Sequence, residues 1–234
     1  MGIGARVYAN AAEENRNTIM RMLEPCPGGV LLDVGCASGI DTLPVAARLG
    51  VAQTIGLELD DQFIDAARDR GIDVRQTDIT KPWPVEDESI DVVHSNQVIE
   101  HLAATDHFLR EIRRVLRPEG YAIVSTNNLA SWHNIAALII GWQPLPAHVS
   151  DEVIVGNPLA LEEARYGENV HRHLRIFTGR ALTALAEAHG LRLDRAAGSG
   201  YYPFGPRLAR AMARLDPLHA AYLVQRFRPA PAAR

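Results

Sequence analysis

The chain has 234 residues, of which 47% are hydrophobic and 22% are charged, and its formal net charge is −4. This composition is typical of a globular protein of about one domain with a continuous core. A nucleic-acid-binding domain more often shows a basic domain or stripe, and the single Arg-rich stretch, residues 207–234, spreads its arginines among Ala, Leu and Pro. We interpret that stretch as a solvated helix face with a fraying end, and we do not expect nucleic acid as a partner.

The cysteines and the apolar runs indicate the compartment. Cys26 lies in a Pro/Gly turn and Cys36 in a glycine loop, and no Cys/His spacing indicates zinc. Without a disulfide framework, a reducing compartment is expected. Met1 to Tyr8 lacks the apolar core of a secretory signal, and the longest apolar stretch, Ile135 to Trp142, is too short to span a bilayer. The sequence therefore predicts a cytoplasmic protein without a membrane span.

Apolar runs bounded by turn residues predict strands, and three- and four-residue apolar spacing predicts helices. In chain order we predict a helix over residues 11–23, a strand over 30–34, a helix over 43–49, a strand over 53–57 and a helix over 61–70. Two strands follow, over residues 74–76 and 90–94, and then a helix over 97–116 with a break near 105. A turn over residues 117–120 leads to a strand over 121–125. An insertion follows, about residues 127–168. Then come a helix over 180–189, a strand over 191–194, a loop over 198–206, a helix over 207–215 and a strand over 220–227.

Strands that alternate with helices imply a parallel sheet covered by helices on both faces. The sequence thus predicts an α/β fold that is doubly wound and Rossmann-like, with a mostly parallel seven-stranded sheet and an insertion after the fifth strand. We find no domain linker, so a single domain over residues 1–228 is expected. Residues 229–234 are predicted to be a disordered tail.

A glycine loop, Asp33 to Gly39, directly follows the first predicted strand and opens a helix. Glycines there let the backbone approach a ligand, and free helix N–H groups point into the crevice at the strand ends. Glu58 lies at the end of the second strand, 19 residues past Gly39, where a carboxylate can accept hydrogen bonds from ribose hydroxyls. Asp78 follows the third strand, where it could meet an adenine amino group. The Asp33 carboxylate, just inside the pocket mouth, suits a cationic ligand.

These segments, in this order and spacing, resemble the motifs of class I S-adenosylmethionine (SAM)-dependent methyltransferases. Residues 30–39 resemble the first motif, 55–58 the second, 76–79 the third and 90–95 the fourth, and 109–124 match the helix and fifth strand that follow. The resemblance implies the doubly wound fold, SAM as cofactor and methyl transfer as the activity. It further implies cofactor contacts. Asp33, Gly35, Cys36, Ala37 and Gly39 would face the methionine end, and Glu58 would bind the ribose, with Leu59 beside it as a further cofactor contact. Asp78 and Ile79 would contact the adenine, and Ser95 and Asn96 the amino group or sulfonium side.

The rival glycine-loop interpretations fit less well. A nicotinamide-binding G-x-G-x-x-G loop starting at Gly35 would need Gly at position 37 and Gly or Ala at 40, but the chain has Ala37 and Ile40. No phosphate-binding Lys follows, which excludes a P-loop. In the family itself, Ala37 replaces a common glycine and narrows the loop by one methyl group.

Glu100 and His101 resemble part of a Glu-x-x-Glu-His motif with which some relatives, including ubiquinone-pathway O-methyltransferases, hold a divalent metal. Here the first carboxylate is the amide of Gln97, which is a poorer ligand for a hard cation. We therefore assign no metal ligands in this chain.

Methyl transfer to a hydroxyl is helped by a general base, most often a histidine. The candidates are His133, His173 and His101, with His171 as a further one, and we favour His133 because it follows the fifth strand. The insertion and the loop over residues 198–206, with Tyr201, Tyr202 and Phe204, are expected to cover the acceptor. Trp132, Trp142 and Tyr166 are candidates to line its pocket.

The leading hypothesis is a methyltransferase acting on a small-molecule acceptor, on an oxygen of a polar metabolite, sugar or lipid intermediate. Two alternatives stay open: a nucleic-acid or protein methyltransferase, and a SAM-binding protein without turnover, because this fold carries many chemistries. The sequence leaves the oligomeric state undetermined, with a homodimer as one option.

Overall fold

The structure, a computed structural model, describes residues 3–150, 152–160 and 173–231. Its helices are α1 (Ile3–Met22), α2 (Thr42–Leu49), α3 (Asp61–Arg68), α4 (Thr105–Val115), α5 (Trp132–Ile139), α6 (Gly179–Ala188) and α7 (Pro206–Leu215). Its strands are β1 (Val30–Val34), β2 (Gln53–Glu58), β3 (Asp73–Gln76), β4 (Ile90–Asn96), β5 (Leu116–Asn127), β6 (Leu191–Ser199) and β7 (Tyr222–Pro229). Short 3-10 turns follow β4 and α7, at Ile99–His101 and Pro217–His219.

The seven strands form one sheet in the order β3-β2-β1-β4-β5-β7-β6, and β7 runs antiparallel to both neighbours. The predicted doubly wound, mostly parallel sheet is confirmed. Strand order reverses beside β1, so the carboxyl ends of β1 and β4 flank the crevice in which such sheets bind ligands. The loops after β1, β2, β4 and β5 therefore meet at one edge.

Both faces of the sheet are covered by apolar packing. Leu32 and Val34 of β1 join a cluster that includes Phe108 and Ile112 of α4, whereas Leu31 joins another that includes Ile19 of α1. Burial on both faces explains why the parallel strands are nearly continuous apolar runs. This two-sided core holds the strand ends in place.

Two predicted boundaries were wrong. Residues 117–120 are not a free turn: they belong to β5 and form a bulge, where pairing shifts from Ile90–Leu116 to Val92–Tyr121. The predicted tail begins too early, because β7 includes Pro229 and the Ala230 N–H donates to the Gly190 carbonyl at 2.8 Å. Residues 232–234 lie outside the described residues.

The remaining boundaries differ modestly. Helix α1 begins at Ile3 rather than at residue 11, and β6 continues to Ser199, into the stretch predicted as a loop. Among the described residues, no helix is long and apolar enough to cross a membrane.

Candidate active site

The glycine loop has the backbone that its sequence predicts. Gly35 and Gly39 adopt left-handed φ angles of 75° and 78°. A Cβ at Gly35 would lie 2.7 Å from Val98 Cγ2, and one at Gly39 would overlap Ile72 Cδ1. The left-handed backbone and the neighbouring side chains both favour glycine at these two positions.

Gly39→Ala is expected to lower the free energy of unfolding by about 2–4 kcal/mol, because a left-handed alanine costs about 1–2 kcal/mol and the methyl group must displace Ile72. Urea unfolding would measure the loss. Gly28→Ala is the matched control, because its φ is 79° but no atom lies within 4 Å of the added Cβ. Equal losses in the two variants would show that the overlap with Ile72 contributes nothing.

Glu58, at the end of β2, ties the glycine loop to the next turn. Its Oε2 accepts the Ala37 N–H at 2.8 Å, and its Oε1 accepts the Leu59 and Asp60 N–H groups at 2.8 and 3.0 Å. Ala37 itself is left-handed, with φ 45°. A carboxylate held by backbone donors at the lip of the loop is suitably placed to receive further hydroxyl donors.

Asp33, which the sequence predicted to lie just inside the pocket mouth, is buried and bonded to protein groups. It is 3% exposed, its Oδ2 accepts the Thr42 hydroxyl, and its Oδ1 lies 2.8 Å from His94 Nδ1. Burial opposes a charge on His94, but the Asp33 carboxylate outweighs it and raises the pKa of His94. Asp33 thus holds α2 and β4 together beneath the loop.

The other predicted cofactor residues surround the crevice. The Cys36 side chain packs with Ile64 and Ile72, and burial raises its pKa to about 12, so only its backbone can line the loop. Asp78 Oδ1 accepts both the amide and the hydroxyl of Thr80, a turn cap that lowers the pKa of Asp78. Leu59 is 60% exposed, and Ile79 packs against the core.

A polar network that sequence reasoning missed adjoins the end of β4. Ser95 is fully buried, and its hydroxyl has no partner among the described residues. Asn96 Oδ1 accepts the side-chain N–H of Asn15, and Asn15 Oδ1 accepts the hydroxyls of Ser125 and Ser199. Helix α1 thereby covers the crevice through one buried asparagine, a type of contact that apolar periodicity does not reveal.

His101 and His173 come together beside buried Glu100, with ring centroids 4.9 Å apart. Glu100 is fully buried and accepts hydrogen bonds from the Thr126 hydroxyl at 2.8 Å and the Asn127 amide at 3.3 Å. His173 Nδ1 lies 3.1 Å from the Pro146 carbonyl oxygen, and the ring stacks on His148. Two of the three predicted bases therefore share one cluster at the ends of β4 and β5.

His133 lies elsewhere. Its ring contacts Tyr202 edge-on at 4.8 Å, and burial lowers its pKa to about 4. Trp132, a predicted pocket-lining residue, is 49% exposed and donates its indole N–H to Asp216. His171 and Tyr166 lie outside the described residues.

The cluster also offers possible metal ligands. One ligand atom each from Glu100, His101 and His173 lies within 4.8 Å of the others. Gln97, whose amide replaces the first carboxylate of the motif, instead accepts the Asn127 N–H at 3.1 Å. That this chain binds no metal stays a prediction, although a carboxylate with two imidazoles is a donor set that divalent metals accept.

In the unmodified protein, the free energy of unfolding is expected to fall as pH rises toward 7, and Glu100→Gln is expected to make this fall smaller. Burial raises the pKa of Glu100 to about 7, so between about pH 4.3 and 7 the folded state binds more protons than the unfolded state. Folding stability contributed by this group is therefore present at low pH and lost as pH rises toward 7, by at most about 1.4 kcal/mol per unit.

Urea unfolding of Glu100→Gln from pH 5 to 8 would measure this. The exposed Glu119→Gln is the control for removing a carboxyl group. Parallel pH curves for Glu100→Gln and the unmodified protein would contradict the prediction.

Comparison with known proteins identifies the chain. A family model described as "Methyltransferase domain" matches residues 32–124. A Mycolicibacterium smegmatis protein named "Probable S-adenosylmethionine-dependent methyltransferase" is 32% identical over 197 residues, which cover 80% of this chain and 72% of that protein. The chain belongs to the SAM-dependent methyltransferase family.

Other relatives and structures agree with this family. A ubiquinone biosynthesis O-methyltransferase of Bradyrhizobium diazoefficiens is 33% identical over 147 residues, which cover 57% of this chain and 56% of that protein. A SAM-dependent methyltransferase structure from Mesorhizobium loti shares the fold, with a TM-score of 0.61, 16% identity and coverage of 90% and 96%. The [4+2]-cyclase SpnF has the same TM-score at 18% identity, so the fold alone does not decide the reaction.

The residues of the methyltransferase fit its cofactor, SAM. The left-handed backbone at Gly35 and Gly39 turns the loop at the end of β1. The Ser95 hydroxyl is buried without a protein partner among the described residues, and Glu58 stands at the lip of the loop. These polar groups are the ones that the motifs predicted for a nucleoside with a methionine tail.

Proposed function

We propose that the methyltransferase transfers a methyl group from SAM to a hydroxyl oxygen of a small molecule, with His173 as general base. The observation that carries this proposal is the hydrogen bond between His173 Nδ1 and the Pro146 carbonyl. A carbonyl only accepts, so this bond places a proton on Nδ1, and in the neutral ring Nε2 is then an acceptor, 3.5 Å from the Asn127 side-chain nitrogen. Nε2 is then the atom that can take a proton from the acceptor.

His173 suits this role better than His133, which the sequence favoured. Burial lowers the pKa of His133 to about 4, and a base of that strength takes a hydroxyl proton poorly near neutral pH. His101 adjoins His173 and can orient the acceptor, whereas His133 lies against Tyr202. We therefore assign His173 as the base and His101 as its neighbour in the acceptor site.

The chemistry requires little beyond positioning. SAM supplies a methyl group on a positively charged sulfur, which departs as a neutral thioether. The chain must hold the acceptor oxygen about 3–3.5 Å from that methyl group and in line with the sulfur. As the new bond forms, the acceptor proton passes to His173 Nε2 and then to solvent.

We assign the cofactor contacts as the motifs imply. Glu58 and Leu59 hold the ribose, Asp78 and Ile79 the adenine, and Ser95 and Asn96 the amino group or sulfonium side. The loop backbone at Gly35, Cys36, Ala37 and Gly39 faces the methionine end, and Asp33 acts through Thr42 and His94. A single domain that continues through β7 to Pro229, a cytoplasmic location and the absence of a required metal complete the proposal.

An oxygen acceptor is further supported by the match to ubiquinone biosynthesis O-methyltransferases, at 33% identity for the Bradyrhizobium protein. The test is transfer of radiolabelled methyl from SAM to a panel of phenols, catechols, sugars, amines, RNA and protein, with and without EDTA. We expect label in hydroxylated small molecules that persists in EDTA. Label only in amines, RNA or protein would overturn the oxygen assignment, and SAM binding without transfer to any class would favour a protein without methyl-transfer turnover.

A further inference from the structure

The outer face of α7 carries an apolar stripe. The helix packs on the protein through Ala209 and Ala213, which are 5% and 7% exposed. Leu208, Ala211 and Leu215 follow one another at three- and four-residue spacing on the opposite side. Leu208 is 52% exposed and Leu215 is 87% exposed, so both leucines of this helix face solvent rather than the core.

Neighbouring segments extend the stripe. Phe204 precedes the helix and is 39% exposed, and Leu218 follows it and is 55% exposed. Trp132 lies beside the end of α7, because its indole N–H donates to Asp216 at 2.9 Å and its ring lies 4.6 Å from that of His219. We call Phe204, Leu208, Leu215, Leu218 and Trp132 the α7 patch.

Positive charge flanks the α7 patch. Helix α7 contains three arginines and no acidic residue. Arg210 pairs with Glu14 of α1. Arg207 and Arg214 are exposed, and neither has an ion-pair partner within residues 3–150, 152–160 and 173–231. The surface thus combines large apolar side chains, one tryptophan with a satisfied N–H group, and two arginines outside any ion pair of those residues.

We propose that the α7 patch binds the surface of an anionic lipid membrane, with its apolar side chains at the acyl boundary and Arg207 and Arg214 facing lipid phosphates. Leu, Phe and Trp beside arginines are the composition of helices that lie in a membrane interface. A second copy docking through α7 would bring two rows of arginine together without acidic residues from either helix. Nucleic acid would use the arginines but would gain little from the exposed leucines.

The position of the α7 patch relates it to catalysis. The Tyr202 ring contacts His133, and Phe204 lies two residues further along the same loop. Membrane binding through α7 would therefore hold the loop over residues 198–206, which the sequence predicts to cover the acceptor, near lipid, and this suits an acceptor with an apolar tail. This link rests on the proposed function, whereas membrane binding itself does not.

Vesicle co-sedimentation tests the proposal. The full chain is mixed with phosphatidylcholine vesicles and with vesicles containing about 30% phosphatidylglycerol, at low and high salt. We expect binding to the anionic vesicles that is at least about tenfold tighter than to neutral ones and weakens with salt. The double variant with Leu208→Gln and Leu215→Gln should bind anionic vesicles about tenfold more weakly than the unmodified protein. The double variant with Arg207→Gln and Arg214→Gln should lose the preference for anionic lipid.

The control is a double variant with Arg48→Gln and Arg70→Gln, which removes two exposed arginines from the α2–α3 region. This control should bind vesicles as the unmodified protein does. Circular dichroism and the thermal midpoint check that each variant is folded. Absence of binding to anionic vesicles, or binding that the leucine changes leave intact, would overturn the proposal. The proposal would also be overturned if the protein formed a dimer or bound RNA, and if the leucine variant abolished that dimer or RNA binding but still bound vesicles.

Discussion

Glu58→Ala is expected to weaken SAM binding by about 100-fold or more. A charged carboxylate that accepts two ribose hydroxyls contributes about 1.5–3 kcal/mol per hydrogen bond, and about 2.7 kcal/mol corresponds to 100-fold in Kd. The change also removes the acceptor for the Ala37, Leu59 and Asp60 N–H groups, which loosens the loop that faces the cofactor. Calorimetric titration of SAM would give the ratio of Kd values.

Two variants make this measurement specific. Glu58→Gln keeps one carbonyl acceptor and should fall between the alanine variant and the unmodified protein. Asp61→Ala removes a nearby carboxylate that accepts from Gln76 and does not hold the loop, so its Kd should change little. If Glu58→Ala bound SAM normally while remaining folded, Glu58 would not be the ribose ligand.

His173→Asn is expected to lower kcat by about 100-fold to 10,000-fold, which is the usual contribution of a general base. The Kd for SAM should stay within about twofold, because His173 lies at the acceptor side. The pH dependence of kcat should lose its ascending limb, since asparagine has no nitrogen that titrates in this range. Single-turnover assays with the best acceptor of the panel would measure these values.

The comparison set separates a base from a merely structural residue. His107→Asn changes a half-buried histidine whose Nε2 lies 2.8 Å from the Lys81 carbonyl, and it should leave kcat unchanged. His133→Asn should affect kcat less than His173→Asn, because the low pKa of His133 makes it a weak base. A larger loss in His133→Asn would return the role of base to the residue that the sequence favoured.

The cofactor site could be anticipated because its residues are local in sequence. Gly35 and Gly39 follow a strand that its apolar run reveals, and Glu58 ends the next strand. Each lies within a few residues of the element that positions it, so periodicity and turn chemistry place it correctly. Local patterns do not give side-chain direction within a buried strand, so the pairing of Asp33 with His94 across two strands was missed.

The acceptor side could not be anticipated in the same way. Nothing near His173 in the chain indicates Glu100 or His148, which come from the end of β4 and from the insertion, and sequence reasoning preferred His133 because it follows β5 directly. A pKa likewise depends on burial by distant segments, as for Glu100 at about 7 and His133 at about 4.

The sequence by itself determined the family, the order of helices and strands and the cofactor, because glycine-rich turns and apolar repeats are properties of contiguous residues. Only the tertiary structure decided which histidines meet, which carboxylates are buried and which leucines remain exposed. Those outcomes depend on long-range packing, where residues such as Asn15 and Ser199 become neighbours across 184 positions of chain. The apolar stripe of α7 is an example: its spacing predicted a helix, but only the fold revealed which side faces solvent.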